Sequence, residues 1–393
     1  MAKKFSLPLS KIIILALILR LLVAPFFYHP DLKSQHFHFQ FLSHGVSNIY
    51  QYISTNKDSL PYRDTFNYLP LTYFSLGAYH ALLKPLFPKN LSVWLNDWSA
   101  AQNSYDNFPF FMLILKLPYF LFDIGISFIL LKLYGQKIFY LWLFNPLNLY
   151  LIYILGNFDI IPVFFTALSW YFLKSSSKYL SFLTLGIATA LKLYPLLLLP
   201  FFLLYKPKNT LKSLLFFFLP LILTVLPFVD SQPFINSLTS SGLSQKIIGF
   251  KIWYLPVFPI VYLLVLLNFL RHRHLEKTLL YVFLAFIVFV DFHAQWLLWF
   301  LPFILFSIVK NKTRFILFII ISVLSFFYII LMDDSFLFWG HLTPVSPAFV
   351  FLRRPDEIFR YRFLTDPYLI QKYIKILLAL FSFCLIFSKN EKI

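Results

Sequence analysis

The residues best placed for chemistry begin with His29-Pro30-Asp31-Leu32-Lys33-Ser34-Gln35-His36, directly after the apolar run 12–28. A carboxylate just past a helix end sits at the water interface, where it stays ionised yet can face a lipid-borne substrate. Asp31 is therefore a candidate general base, against the plain alternative of a solvated loop carboxylate. Lys192, in Ala190-Leu191-Lys192-Leu193-Tyr194-Pro195, interrupts an apolar stretch. Ionisable groups at membrane depth are costly and face a cavity or a partner. As a compact cation Lys192 could hold a phosphate, or it could snorkel to the headgroups. Asn157 and Asp159, in Gly156-Asn157-Phe158-Asp159, read first as helix-end and turn residues. His293 and Gln295, in Asp291-Phe292-His293-Ala294-Gln295-Trp296, occupy another polar turn, where a lone His is most simply a hydrogen-bonding residue. Arg353, Arg354, Arg360 and Arg362 crowd one late segment. Their guanidinium forks suit a diphosphate or a polyprenyl-phosphate leaving group, and equally suit headgroup contact. No His, Cys and Asp set has convincing metal-ligand spacing; His36-x-His38 alone is weak.

The elements that must position these residues are helices in a bilayer. Of the 393 residues 60% are apolar and 13% charged, against about 25% charged in a soluble domain. Apolar runs recur at 12–28, 110–131, 214–228, 254–270, 279–290 and 315–332, lengths that span a bilayer alone or with help from neighbours. The 52 Phe and 24 Tyr suit lipid contact and interfacial belts. The net charge of +18 does not indicate a nucleic-acid partner, because Lys and Arg sit in short clusters between apolar runs, as positive-inside sorting requires. The single Cys384 precludes an internal disulfide. The start lacks a clear small-x-small cleavage site, so 12–28 reads as an uncleaved first helix. Arg20, Lys116 and Asp123 lie inside apolar runs. Lys116 and Asp123, seven residues apart on one face, are about two turns from each other, so each calls for a partner on another helix.

Basic connectors mark a cytoplasmic side: Lys132/Lys137, Lys174/Lys178, Lys206/Lys208/Lys212, Arg271/Arg273/Lys277 and Lys310/Lys312/Arg314, with Lys3, Lys4 and Lys11 at the start and Lys389 and Lys392 at the end. Arg271-His272-Arg273-His274 reads as part of this orientation signal and not as a metal site. The segments 29–108, 229–251 and 333–371 alternate with the connectors and are expected outside, along with turns near Asn157, Lys192 and Asp291. This parity requires that 68–86 not cross. Broken by Pro70 and Pro85, holding His80 and Lys84, and followed by Trp94 and Trp98, it fits an interfacial or re-entrant helix. The expectation is an all-α polytopic protein, one integral membrane domain over 1–393, with about twelve spans and both termini cytoplasmic.

In order along 20–305, these clusters resemble the GT-C membrane glycosyltransferases that use polyprenyl-phosphate sugars. The bacterial family 87 mannosyltransferases, the GPI mannosyltransferases and the lumenal glucosyltransferases of N-glycan precursor assembly look most similar. The resemblance rests on Asp31 with Gln35 and on Tyr68-Leu69-Pro70-Leu71-Thr72, similar to the family's Tyr-Pro-Pro-Leu-Thr. Further along it rests on Lys116-Leu117-Pro118 with Asp123, Asn145-Pro146, Gly156-Asn157-Phe158-Asp159, Lys192-Leu193-Tyr194-Pro195, and His293-Ala294-Gln295-Trp296 before Leu301-Pro302. It implies a GT-C-like architecture with an elaborated first external loop and places the base on Asp31. Asn67 stands where the glucosyltransferases commonly carry Asp, Leu69 replaces the first Pro, and the first loop has no Asp-x-Asp pair. The sugar therefore stays open between mannose and glucose. No cofactor is implied, and a divalent metal is left open.

The expected reaction is inverting hexosyl transfer on the extracytoplasmic face of a prokaryotic cell membrane. A polyprenyl-phosphate sugar is the donor, and a glycan, lipid or glycolipid hydroxyl is the acceptor. Asp31 is the base; Lys192 and one or more of Arg353, Arg354, Arg360 and Arg362 hold the phosphate. Gln35, Tyr68, Asn157, Asp159, His293 and Gln295 bind or orient substrate or base. The rival is a transporter or lipid-linked-sugar flippase, which would also use Arg20, Lys116 and Asp123. Such proteins often show paired halves with matched broken helices, and no internal repeat is visible here. A structural membrane subunit is the third reading, disfavoured by the polar clustering.

Overall fold

The computed structural model describes residues 8–240, 243–308 and 311–388. Lys3, Lys4, Lys310, Lys389 and Lys392, counted above as cytoplasmic markers, lie outside the described residues. The fold is α-helical as expected; the strands among the described residues are Lys251–Ile252 and Leu255–Pro256, a short antiparallel pair.

Five helical segments are long and apolar enough to cross a membrane: Leu9–Phe26, Phe108–Tyr134, Thr210–Phe228, Lys312–Ile330 and Pro367–Phe387. At about 1.5 Å per residue they reach roughly 27–40 Å, against a hydrocarbon core of about 30 Å. Four shorter apolar helices accompany them: Ile160–Lys174, Lys178–Leu191, Tyr194–Tyr205 and Val257–His272. Five full-length helices are fewer than the dozen spans expected. The apolar runs are punctuated by proline, which converts the chain from Tyr194 into a 3₁₀ turn, Tyr194–Leu198, before the α-helix Leu199–Tyr205. The segment 68–86 forms the 14-residue helix Pro70–Leu83, about 21 Å long and shorter than a bilayer core.

The Thr210–Val225 helix shows which solvent these helices meet. Leu211, Leu215, Leu219, Ile222 and Leu223 are exposed, while Ser213 and Phe217 are fully buried. An apolar stripe turned outward at helical spacing is the reverse of a water-soluble surface and suits lipid. On its inner side it packs against Lys178–Leu191, which also packs on Ile160–Lys174. Gly186 makes this approach possible: a Cβ there would lie 2.1 Å from the Phe217 carbonyl oxygen. Small residues at such crossings bring membrane helices into close van der Waals contact.

The charges within apolar runs are met by protein groups, as an ion pair for Arg20 and Asp123 and as backbone hydrogen bonds for Lys116. Arg20 Nε pairs with Asp123 Oδ2 at 2.5 Å, and its Nη1 donates to the Ala16 and Leu143 carbonyls at 3.0 Å each. Asp123 also accepts from Trp142 Nε1 at 2.7 Å and from the Tyr153 hydroxyl at 2.8 Å. Lys116 Nζ donates to the carbonyls of Ala24 (2.9 Å), Phe27 (2.6 Å) and Tyr153 (2.6 Å). Those carbonyls are freed where the first helix ends and where the π-helical turn Tyr150–Ile154 departs from α geometry. Arg20, Lys116 and Asp123 are each fully buried. Each has its partner on another segment, as their spacing required.

The segment 29–108 is a layer of short helices and not a loose loop. Pro30–Phe39 lies largely buried beneath Pro70–Leu83 and Lys89–Asn96. The layer is tied to the longer helices by Thr72 Oγ1 donating to the Leu191 carbonyl at 2.6 Å and by the Tyr79 hydroxyl donating to the Ile114 carbonyl at 2.7 Å. The segment 333–371 returns to the same place: the Tyr28 N–H donates to the His341 carbonyl at 2.8 Å.

Candidate active-site cavity

Where Pro30–Phe39 begins, Pro30 takes the first helical position, which needs no N–H donor. The cap is unusual: His29 Nδ1 accepts from the Asp31 N–H at 3.1 Å. The turn fixes both residues and lines up Asp31, Ser34, Gln35 and His38 on one helix side, facing a cavity of about 500 Å³. From the other elements, Tyr68, Lys192, His293 and Gln295 reach the same cavity. Six of the residues singled out in the sequence thus meet: Asp31, Gln35, Tyr68, Lys192, His293 and Gln295.

Gln35 and His38 are 3% and 5% exposed; the Gln35 amide has the Tyr68 hydroxyl as its polar neighbour, and His38 Nε2 has no hydrogen-bond partner among the described residues. Buried polar atoms without partners are rare because each costs a desolvation penalty. Here His38 lines a hollow with polar walls, where water or a polar ligand would satisfy it.

Lys192 ends the Lys178–Leu191 helix in extended backbone. It does not snorkel: its ammonium pairs with Asp159 Oδ1 at 2.5 Å. Asp159 is fully buried and accepts from Trp299 Nε1 at 2.8 Å through its other oxygen. The Phe158 and Trp299 rings each lie 5.3 Å from the ammonium. Asp159 thus holds Lys192 at the cavity wall from behind. Asn157 is one step further back, its Oδ1 accepting from the Asp159 N–H at 3.2 Å. Neither acid nor amide lines the cavity, although both were expected to bind or orient substrate; their contacts brace the lysine. Gly156 completes the turn with φ +64°, and a Cβ there would sit 2.8 Å from Lys116 Cε.

His293 sits against Lys246 Nζ and edge-on to Trp296. Desolvation, then the Lys246 and Lys192 ammoniums, push its pKa down to about 4. It is a neutral donor or acceptor at neutral pH.

The arginine cluster departs from expectation. Arg353, Arg354, Arg360 and Arg362 do not line the cavity. Arg354 pairs with Asp333 at 2.6 Å, Asp356 at 3.1 Å and Glu357 at 3.4 Å. Asp356 and Glu357 occupy the first turn of Pro355–Arg362, where carboxylates favour the helix dipole; Arg354 is spent on that turn. Arg353, Arg360 and Arg362 point away from the fold and are exposed.

Sequence reading missed His29 and Asp334 as a pair. His29 Nδ1 lies 3.7 Å from Asp31 Oδ1, and its Nε2 lies 3.7 Å from Asp334 Oδ2. Burial acts to lower the His29 pKa, but Asp31 and then Asp334 outweigh it and leave it raised. Burial likewise acts to raise Asp334, yet the neighbouring His29 imidazole, and the Phe336 N–H that donates to its Oδ1 at 2.8 Å, hold it below the usual carboxylate range. Asp334 follows the Lys312–Ile330 helix end as Asp31 follows the first. The reasoning that picked out Asp31 applied to it equally. Asp64, which accepts from the Tyr62 hydroxyl at 3.0 Å, is a further carboxylate on the cavity wall.

Comparison with protein-family models, curated proteins and solved structures gives no match for this chain. The functional argument therefore rests on the cavity. Among the described residues no group of three or more His, Cys, Asp or Glu is arranged to hold a metal ion. What the arrangement offers is three carboxylates, Asp31, Asp64 and Asp334, of which Asp31 is half-exposed and follows the His29 cap, together with an ammonium fixed from behind and buried amide and imidazole groups. Such a site can take a proton from a hydroxyl, neutralise an anion and orient a polyhydroxylated group.

Proposed function

We propose that the chain is a GT-C-type inverting glycosyltransferase that moves a hexose, mannose or glucose, from a polyprenyl-phosphate sugar to an acceptor hydroxyl. In this reading the cavity opens to the extracytoplasmic side of a prokaryotic cell membrane, both termini are cytoplasmic, and the four shorter apolar helices together with the helical stretches 136–154, 275–289 and 294–308 complete about twelve spans. The observation that carries it is the joint placement of Asp31 and Lys192 on one polar cavity. A base and an ammonium whose remaining N–H groups can donate to the phosphate are the two groups this displacement uses.

Asp31 accepts the acceptor hydroxyl's proton as its oxygen attacks the anomeric carbon. The bond from that carbon to the phosphate oxygen breaks, and polyprenyl phosphate leaves with the electron pair. One displacement inverts the configuration and needs one base, whereas retention calls for a paired nucleophile. Phosphate is already a competent leaving group, so the protein's work is to position it and offset its charge. Lys192 offers the protons not engaged by Asp159. Gln35, His38, His293 and Gln295 supply hydrogen bonds to the sugar, and His29 holds Asp31 in place through the cap.

The test is the purified protein with a panel of polyprenyl-phosphate sugars and release of polyprenyl phosphate as readout. Sugar-dependent release supports transfer. Vectorial movement of the intact lipid-linked sugar, without bond cleavage, would replace this reading with a flippase.

A further inference from the structure

A second hollow, of about 240 Å³, lies past the end of the Pro30–Phe39 helix. Its walls are the 3₁₀ turn Gln40–His44 that continues this helix, the turn Lys84–Leu86 at the end of Pro70–Leu83, and the helix Lys89–Asn96. Its charge is of one sign: Lys84 and Lys89 line it with His44, and no carboxylate does. Lys84 Nζ is held at the rim by donating to the Ser43 carbonyl at 3.2 Å, which leaves two of its protons for other acceptors. Lys89 has no hydrogen-bond or ion-pair partner among the described residues.

Deeper in the hollow lies an independent sign of a missing ligand. Gln40 is 3% exposed and lines it, yet its Nε2 has no hydrogen-bond partner among the described residues. Its Oε1 accepts from Ser92 Oγ at 3.3 Å, so the unmet group is a donor. Two cations and an unmet buried donor call for an anion with several acceptor oxygens.

The surroundings indicate where that anion comes from. Leu82 and Leu86 are 77% and 75% exposed and flank Lys84 in the chain; Val93, beside Ser92, is 59% exposed. A cation bracketed by outward leucines is the pattern of a segment lying in a membrane interface, with apolar side chains among acyl tails and the ammonium at phosphate level. A hollow of this size holds a small group, below the ~300–1,000 Å³ of sites for drug-sized ligands.

We propose that this hollow binds the phosphate of an anionic phospholipid headgroup, with Lys84 and Lys89 as its cations, Gln40 as its buried donor, and Leu82, Leu86 and Val93 against the acyl chains. The site is separate from the cavity around Asp31 and does not depend on glycosyl transfer. It fastens the outer helical layer to the bilayer.

The experiment is native mass spectrometry of the purified full chain, titrated with phosphatidylglycerol, phosphatidylcholine or inorganic phosphate. One saturable phosphatidylglycerol adduct is expected, with phosphatidylcholine weaker and millimolar inorganic phosphate failing to displace it. The variant Lys84→Gln/Lys89→Gln should weaken that adduct by at least about tenfold, since two charge-assisted contacts are lost. Gln40→Leu keeps both charges and should weaken it several-fold; Lys84→Arg should retain it. Equal phosphatidylglycerol affinity in the double variant and the wild type would overturn the site. Binding of inorganic phosphate in place of the lipid would overturn the headgroup assignment. Should the double variant fail to fold, as read by its thermal unfolding, Gln40→Leu decides, and wild-type affinity in it counts against the proposal. No transfer assay enters, so failure here leaves the glycosyltransferase reading untouched.

Discussion

His29 Nε2 lies 3.7 Å from Asp334 Oδ2, joining the helix that carries Asp31 to the turn that follows the Lys312–Ile330 span. In the neutral ring the other nitrogen caps that helix by accepting from the Asp31 N–H; once protonated, that nitrogen faces Asp31 Oδ1, 3.7 Å away, as half of an ion pair. One imidazole therefore ties the candidate base to the far end of the chain.

This tie titrates. The His29 pKa is raised above its ordinary 6.5, so its contribution to stability is fully present below that value and is lost as pH rises through the folded value. Asp334 is lowered, so its contribution is present above the ordinary carboxylate value and is lost as pH falls through the folded one. Thermal unfolding in detergent should show the midpoint declining as pH climbs above about 6.5. Asp334→Asn should flatten that decline. An unchanged pH profile in the variant would dissociate the two residues.

Asp31→Asn should reduce transfer by about 10²–10⁴-fold, the usual worth of a general base, with insertion and expression unaltered. The Asn side chain is close in size and leaves the cap from His29 intact, since that bond uses the backbone N–H. Near-wild-type turnover at equal expression would remove Asp31 from the mechanism.

Lys192 and Asp159 should behave as a unit. Lys192→Met strands a fully buried carboxylate, and breaking a buried pair in this way costs about 3–5 kcal/mol. Adding Asp159→Asn, which keeps an acceptor for Trp299, should recover most of the loss. Unfolding midpoints of the four proteins give the coupling; strictly additive costs would show the pair to be independent.

Gly186→Ala should disrupt the packing of Lys178–Leu191 on Thr210–Val225, because the new methyl meets the backbone carbonyl of Phe217, which cannot rotate aside. Overpacking costs about 1–3 kcal/mol and more against backbone. A wild-type unfolding midpoint in this variant would show that the helices do not cross so closely.

The parts of this molecule legible in the sequence are those whose cause is local. Asp31 was readable as an interfacial carboxylate because it directly follows the end of an apolar run; the new helix that it opens behind Pro30 was not. Arg20, Lys116 and Asp123 announced partners because charges in apolar runs need them. What the partners were was not readable, since Lys192 meets Asp159 across 33 residues and Asp123 meets Arg20 across 103. The arginines misled for a related reason. Arg354 has its partners almost beside it in Asp356 and Glu357, a local cap that composition alone presents as surplus charge. Apolar runs indicated membrane helices but not their number, because internal prolines shorten them in ways that run length does not reveal.

The Arg20–Asp123 pair also bears on how the chain is made. Asp123 follows Arg20 by 103 residues, which at ~5–20 residues per second is roughly 5–20 s of synthesis. For that interval the first helix carries a guanidinium with no counter-ion, at a cost of about 2.5–3.5 kcal/mol if it enters lipid alone. Its final seating is therefore an event of the second long helix's arrival. In a ribosome-arrest series, chains stopped before residue 123 should yield a first helix that is extracted from membranes more readily than in longer chains.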